Sequence, residues 1–231
     1  MSNAPAPDPA PPPGLPAAGA EADADAEALQ AWTELPLFPL QMVLFPGGLL
    51  QLKVFEARYL DLVSHCLRSQ SPFGVVCLKQ GSEVRAGADD PARLEAVAVL
   101  AHLQEVDADQ PGILKARCVG GRRVLLDTPR QRADGLWLAG ALASPADAAC
   151  PVPPDLGPAA VALAHAITAL AQQDQHPFAR PHQLQDAGWV ANRWCELLPI
   201  SLAAKYRLMV LDEPALRLKL VDDYLRGKGV V

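Results

Sequence analysis

The chain has 231 residues, half of them apolar, which suffices to bury a sizeable core in one large domain or two small ones. Its formal net charge of −6 belongs wholly to residues 1–34, which carry Asp8, Glu21, Asp23, Asp25, Glu27 and Glu34 and no Lys or Arg. The rest of the chain is balanced, so bulk charge gives it no attraction to nucleic acid or anionic lipid.

Residues 1–28 are rich in Pro, Ala and acids, a composition that buries too little surface to offset its ordering entropy, and they read as a disordered acidic arm. The arm lacks the basic start of a signal peptide. An uncharged run from Leu35 to Leu52 follows. Prolines 36, 39 and 46 break any spanning helix there, and no other run reads as long enough to cross a bilayer, so no membrane partner is expected.

From Leu35 to Ala143 the pattern is mostly β. Strands are expected at 49–55, where Leu50, Leu52 and Val54 share a face, and at 73–79, 95–106 and 136–143. Residues 113–128 read as two strand-like runs around Gly120-Gly121, a hairpin or bulge signal. One helix interrupts them, with Tyr59, Leu60, Val63 and Leu67 at helical spacing. Residues 144–158 read as a Pro-rich linker. Beyond it, four apolar stripes predict helices around Leu163–Leu170, Val190–Leu197, Leu202–Val210 and Leu216–Leu225, with Pro199 and Pro214 at the breaks. Strands first and helices later make an α+β chain.

The sequence holds no phosphate-loop motif, and no cofactor is expected. His176 and His182 frame a loop without a carboxylate or thiol between them, which predicts no metal site. Cysteines 66, 77, 118, 150 and 195 are scattered and odd in number, as reduced cytoplasmic thiols are; all but Cys150 sit in apolar runs that predict burial. His65 and Cys66 adjoin on one helix, so their side chains diverge. Ser201 and Lys205 have the spacing of a Ser-Lys dyad, but Ser201 stands where a serine caps a helix, and no catalytic residue is assigned. Lys115, Arg117, Arg122 and Arg123, with Arg130 and Arg132 beyond, form the one local excess of base, an alternative surface for nucleic acid.

The stretch "LPLFPLQMVLFPGGLLQLKVFEARYLDLV" (35–63) resembles the start of the Lon protease N-terminal domain, the LON substrate-binding family shared in variant form by cereblon. The resemblance rests on Leu35–Leu40, on Val43–Gly47, on the strand Leu49–Val54 and on Phe55-Glu56-Ala57-Arg58-Tyr59. Weaker likenesses are "FGVV" (73–76), Gly81 with Glu83 and Val84, "CVGGRRVLL" (118–126) and residues 188–212. It implies a PUA-like β-barrel lobe (29–143) with one inserted helix, the linker 144–158 and a C-terminal helical bundle (159–231). Residues 37–48 then read as the lobe's first strand pair, with the Phe-Pro pairs at strand ends. Pro39, Phe45, Pro46, Gly47, Phe55, Glu56, Arg58 and Tyr59 are signature positions whose physical reading is architectural, Glu56 and Arg58 satisfying backbone groups at a strand–helix junction or pairing elsewhere. The chain is expected to be a stand-alone bacterial member without the ATPase and peptidase domains. Its expected role is non-catalytic binding of polypeptide, with RNA binding through the basic segment as the alternative.

Overall fold

The computed structural model describes residues 30–80 and 93–231. The expected acidic arm and the likenesses at Gly81, Glu83 and Val84 lie outside the described residues. Among those described, the fold is mixed α+β. Its strands are β1 (Ala31–Leu40), β2 (Leu49–Val54), β3 (Phe73–Gln80), β4 (Arg93–Gln110), β5 (Ile113–Leu126), β6 (Arg130–Gln131) and β7 (Trp137–Ala143). Its helices are α1 (Ala57–Ser69), α2 (Gly157–Ala171), α3 (Ala187–Leu197), α4 (Leu202–Met209) and α5 (Pro214–Gly227).

The seven strands form one sheet in the order β2-β5-β4-β3-β1-β7-β6. Only β1 and β3 run parallel; the other pairs are antiparallel. Because β5 also pairs with β7, the ladders β5–β4–β3–β1–β7 return to their starting strand. β2 stands outside that cycle, with β5 as its one neighbour among the described residues.

Residues 37–48 are not a strand pair. β1 runs straight through Pro36 and Pro39, and no strand follows before Leu49. The ladder to β7 ends at Leu37, which leaves Pro39 one neighbour, β3, in place of two, and a proline costs the sheet least where fewer ladder bonds are due. Phe45-Pro46 lies in a turn, with Gly47 at φ +71°, a left-handed conformation suited to glycine. At Gly120-Gly121, of the hairpin and the bulge expected, the fold takes the bulge. β5 is continuous, and Gly120-Gly121 falls at a register shift against β4, between the pairs Val99↔Arg123 and Ala101↔Gly120. The turn explains the glycine: Gly47 N–H donates to Gly120 O at 2.7 Å and Gly120 N–H to Gly48 O at 2.8 Å. A methyl group on Gly120 would overlap the carbonyl oxygen of Phe45.

The expectation that no second run is long enough to cross a bilayer needs correction. The 3-10 turn at Pro154–Leu156 continues into α2, and together they make an 18-residue stretch of mean hydropathy 1.2, long and apolar enough by those measures. The expected linker 144–158 takes in the start of this run, yet proline is tolerated in a helix's first turn. The stretch packs against protein at Leu156, Ala159 and Leu163, and the Trp194 indole N–H donates to Ala159 O at 2.9 Å.

One apolar cluster runs from Phe38, Leu52, Tyr59 and Val63 to Leu163, Trp194, Leu218 and Leu225, so strands and helices share a core. Leu35, Leu37, Val76, Leu100 and Val124 form a second, smaller cluster. Residues 144–158 are tied to both parts. Cys150 N–H donates to Asp186 Oδ2 at 3.1 Å, Ala187 N–H donates to Cys150 O at 2.7 Å, and Asp147 reaches buried arginines on β5 and α5. Cys66, Cys77, Cys118 and Cys195 are buried as their apolar contexts predict, and burial pushes the Cys118 and Cys195 thiols up to about 12.

Candidate functional site

In β2 the side chains of Leu50, Leu52 and Val54 are buried and those of Gln51 and Lys53 are exposed, the alternation of a half-buried strand. A cavity of about 310 Å³ touches every residue from Leu50 to Glu56. Consecutive strand residues point to opposite faces, so a cavity meeting both sets runs along the strand's edge rather than over one face. Its other wall is Phe38, Leu40 and Met42, spaced two apart, with Tyr59 from α1. The Phe38 and Tyr59 rings stack with centroids 4.1 Å apart, and the Arg58 guanidinium covers Tyr59 at 5.0 Å. Phe55 stands at the rim, 55% exposed.

Met42 also lines a second cavity of about 230 Å³, walled by Leu44, Leu49, Phe178, Leu197 and Leu202 together with Glu196 and Lys205. Met42 thus borders both cavities: the channel along the free edge of β2, and a smaller one between the 42–49 segment and helices α3 and α4. Arg193, fully buried on α3, holds the 42–48 loop that forms the shared wall. Its Nη1 donates to Gly47 O at 2.5 Å and its Nη2 to Pro46 O at 2.8 Å, while Nη2 also pairs with Glu196 Oε1 at 2.9 Å. The guanidinium lies against the rings of Phe178 and Trp189, 5.7 and 5.8 Å from their centroids.

Burial pushes the Glu196 carboxyl up to about 7, outweighing the opposing influence of Arg193 and Lys205. The fold therefore keeps a proton that the unfolded chain releases near pH 4.5. The resulting contribution to stability is full below that pH and is lost as pH rises through about 7. Glu196→Gln is expected to flatten this part of the stability–pH curve and to raise stability above pH 7, measured by urea denaturation across that range.

Ser201 and Lys205 do not form a dyad. The Ser201 hydroxyl accepts from Ala204 N–H at 3.2 Å as the N-cap of α4, and Lys205 Nζ donates to Glu196 O at 3.1 Å. Ser201→Ala is expected to cost about 1 kcal/mol, the worth of a cap, read by denaturant titration. His65 is exposed and Cys66 buried, so that pair also diverges. Among the described residues no three His, Cys, Asp or Glu side chains gather as a metal site would require.

Of the signature positions, Phe55, Glu56 and Tyr59 line the channel, while Phe45, Pro46 and Gly47 form the loop that Arg193 holds. Pro39 sits inside β1. Glu56 occupies the N-cap of α1 without capping it; its carboxylate takes the Arg58 guanidinium instead.

The basic segment is dispersed by the fold. Arg123, 5% exposed, pairs with Asp147 at 2.6 Å and so does not join an outward surface. Lys115 and Arg117 are exposed on one face, but they stand directly opposite Asp107 and Glu105 of β4. Arg122 is partly buried, Arg130 pairs with Glu34 and Arg132 with Asp134.

Met42, Arg193 and Asp147 escaped the sequence reading. Met42 carries no motif, and Arg193 sits in a helical stripe where an arginine reads as solvated. Asp147 falls in a stretch that composition marks as linker. The detectable signal for Arg193 was its place in "VANRWCEL", between residues of the buried stripe.

Residues 34–227 match the family described as the ATP-dependent protease La (LON) substrate-binding domain. The fold is similar to the crystal structure of a Lon N-terminal domain protein from Xanthomonas campestris, with a TM-score of 0.65 and 32% identity over 82% of this chain and 97% of that one. It also resembles the N-terminal domain of the Mycobacterium avium complex Lon protease, with a TM-score of 0.55 and 14% identity over 84% of this chain and 98% of that one, a likeness of fold alone. No curated protein matches the chain.

Proposed function

The chain belongs to the LON substrate-binding domain family, and from that membership we propose that it is a non-catalytic module that binds polypeptide, taking exposed apolar segments of a client or partner chain into the channel beside β2. The observation that carries this reading is the channel itself. An unpartnered strand edge borders largely apolar walls from β1, Met42 and α1, and a second cavity lies on the other side of Met42. Strand edges recognise main chain and adjoining pockets recognise alternate side chains, which is one way proteins hold extended peptides. We read the returning cycle of ladders as a PUA-like barrel lobe (29–143), residues 144–158 as a tethered connector and residues 159–231 as the helical bundle closing the cleft. Unpaired cysteines suit work in the cytoplasm.

The test is binding of a permanently unfolded protein, reduced and carboxymethylated, followed by fluorescence anisotropy. Met42→Asp, which puts a carboxylate on the wall common to both cavities, is expected to weaken binding roughly tenfold or more while leaving the circular dichroism unchanged. Raising salt from about 50 to about 200 mM is expected to change affinity little, whereas a nucleic-acid surface would lose orders of magnitude. Absence of binding, or binding indifferent to Met42→Asp, would overturn the proposal.

A further inference from the structure

We propose that the occupant of the channel adds to β2 as a further strand and carries an acidic residue opposite Lys53, with apolar residues on either side of it. This inference rests on the polypeptide-binding reading and names the chemistry of its ligand.

β2 and β5 are paired through six consecutive registers without irregularity, from Leu49↔Val119 to Val54↔Leu114. The strand is thus regular enough to template another on its open edge. On its exposed face Lys53 stands directly opposite Lys115, which in turn stands opposite Asp107. One row of the sheet therefore reads Asp107, Lys115, Lys53 and then the groove. Like charges directly across a sheet repel and opposite charges attract. Asp107 faces Lys115, but among the described residues Lys53 has no ion-pair partner.

Lys53 also lies at the join of two surfaces. It lines the edge channel, and it lines an open cavity of about 450 Å³ on the charged outer face. A strand laid along β2 would put one residue opposite Lys53 on that outer face. The residues before and after it would turn toward the side of Leu52 and Val54, where the channel is apolar. A lysine on an open edge discourages indiscriminate pairing. An acidic residue at one register makes the same lysine a selective contact, so the occupant is an extended segment with an acid between two apolar residues.

The experiment is selection from a displayed library of random twelve-residue peptides, run on the wild-type chain and on Lys53→Glu in parallel. Lys53 is exposed, so the variant is expected to fold. Wild type is expected to enrich peptides with an acid between apolar residues, and Lys53→Glu to replace that acid by Lys or Arg. A synthetic peptide made from the enriched sequence should lose roughly tenfold in affinity when its acid becomes Lys. Methylating its backbone nitrogens at one parity should abolish binding, and at the other parity should leave it intact, because a strand bonds its neighbour through alternate residues. Enriched peptides with no charge preference, or insensitive to Lys53→Glu or to both methylation patterns, overturn strand addition at Lys53 and leave polypeptide binding standing. No enrichment over an unrelated protein on the same support overturns both.

Discussion

Asp147→Ala is expected to cost the fold about 3–5 kcal/mol, lowering the melting temperature by roughly 10 °C in a chain of this size. The reason is that one carboxylate serves two buried cations. Arg123 Nη2 meets Asp147 Oδ1 at 2.6 Å and Arg217 Nη1 meets Asp147 Oδ2 at 2.6 Å, with the two side chains 5% and 1% exposed. Arg217 retains the amide oxygen of Asn192 at 2.9 Å and the carbonyl of Leu211, and Arg123 retains Met209 O at 3.2 Å. Those neutral acceptors do not replace a charge. Asp212, also 3.1 Å from Arg123, is largely exposed and screened by water, so it compensates little. Asp147→Asn keeps the shape and loses the charge, and is expected to recover only part of the stability. Chemical denaturation of the two variants checks both the size of the effect and its electrostatic origin.

Arg193→Ala is expected to be comparably damaging, by about 3–5 kcal/mol, and to act on the binding channel as well. The substitution removes the donors that hold the carbonyls of Pro46 and Gly47, leaves Glu196 without its nearest cation and opens a hole against Phe178 and Trp189. Its cost should grow as pH rises through about 7, where Glu196 must ionise without Arg193. Arg193→Lys is not expected to rescue the loop, because one ammonium cannot reproduce the planar fork that spans two carbonyls. Amide exchange across residues 42–48, measured under conditions where the variant remains folded, should rise more than exchange in α1. Uniform acceleration would instead assign Arg193 to global stability alone.

What the sequence could and could not disclose follows from how far each interaction reaches along the chain. The strand 49–54 and the helix from Ala57 were readable because alternation and helical spacing are local patterns. The Ser201 cap was readable for the same reason. Residues 37–48 were misread as a strand pair, because tolerance of Pro39 depends on where the ladder to β7 stops, and that is set some hundred residues away. Arg123 looked like part of a basic surface because a local count of charge does not see Asp147 beneath it. Lys115 and Arg117 looked unbalanced until β4 placed Asp107 and Glu105 across from them. The channel was the least readable feature of all. That β2 is an edge follows from the order of strands in the sheet, and although every wall residue falls within the signature stretch 35–63, no local pattern shows that they enclose a cavity.

The central claim is that polypeptide occupies the channel beside β2, and site-specific photocrosslinking tests it most directly. A photoreactive benzoylphenylalanine is placed at Met42, at Phe55 and, as controls, at Val161 and Leu220, both exposed apolar positions on α2 and α5. With an unfolded polypeptide present, covalent adducts are expected from positions 42 and 55 and not from 161 or 220. Adducts of equal yield at all four positions, or confined to the two controls, would contradict the account.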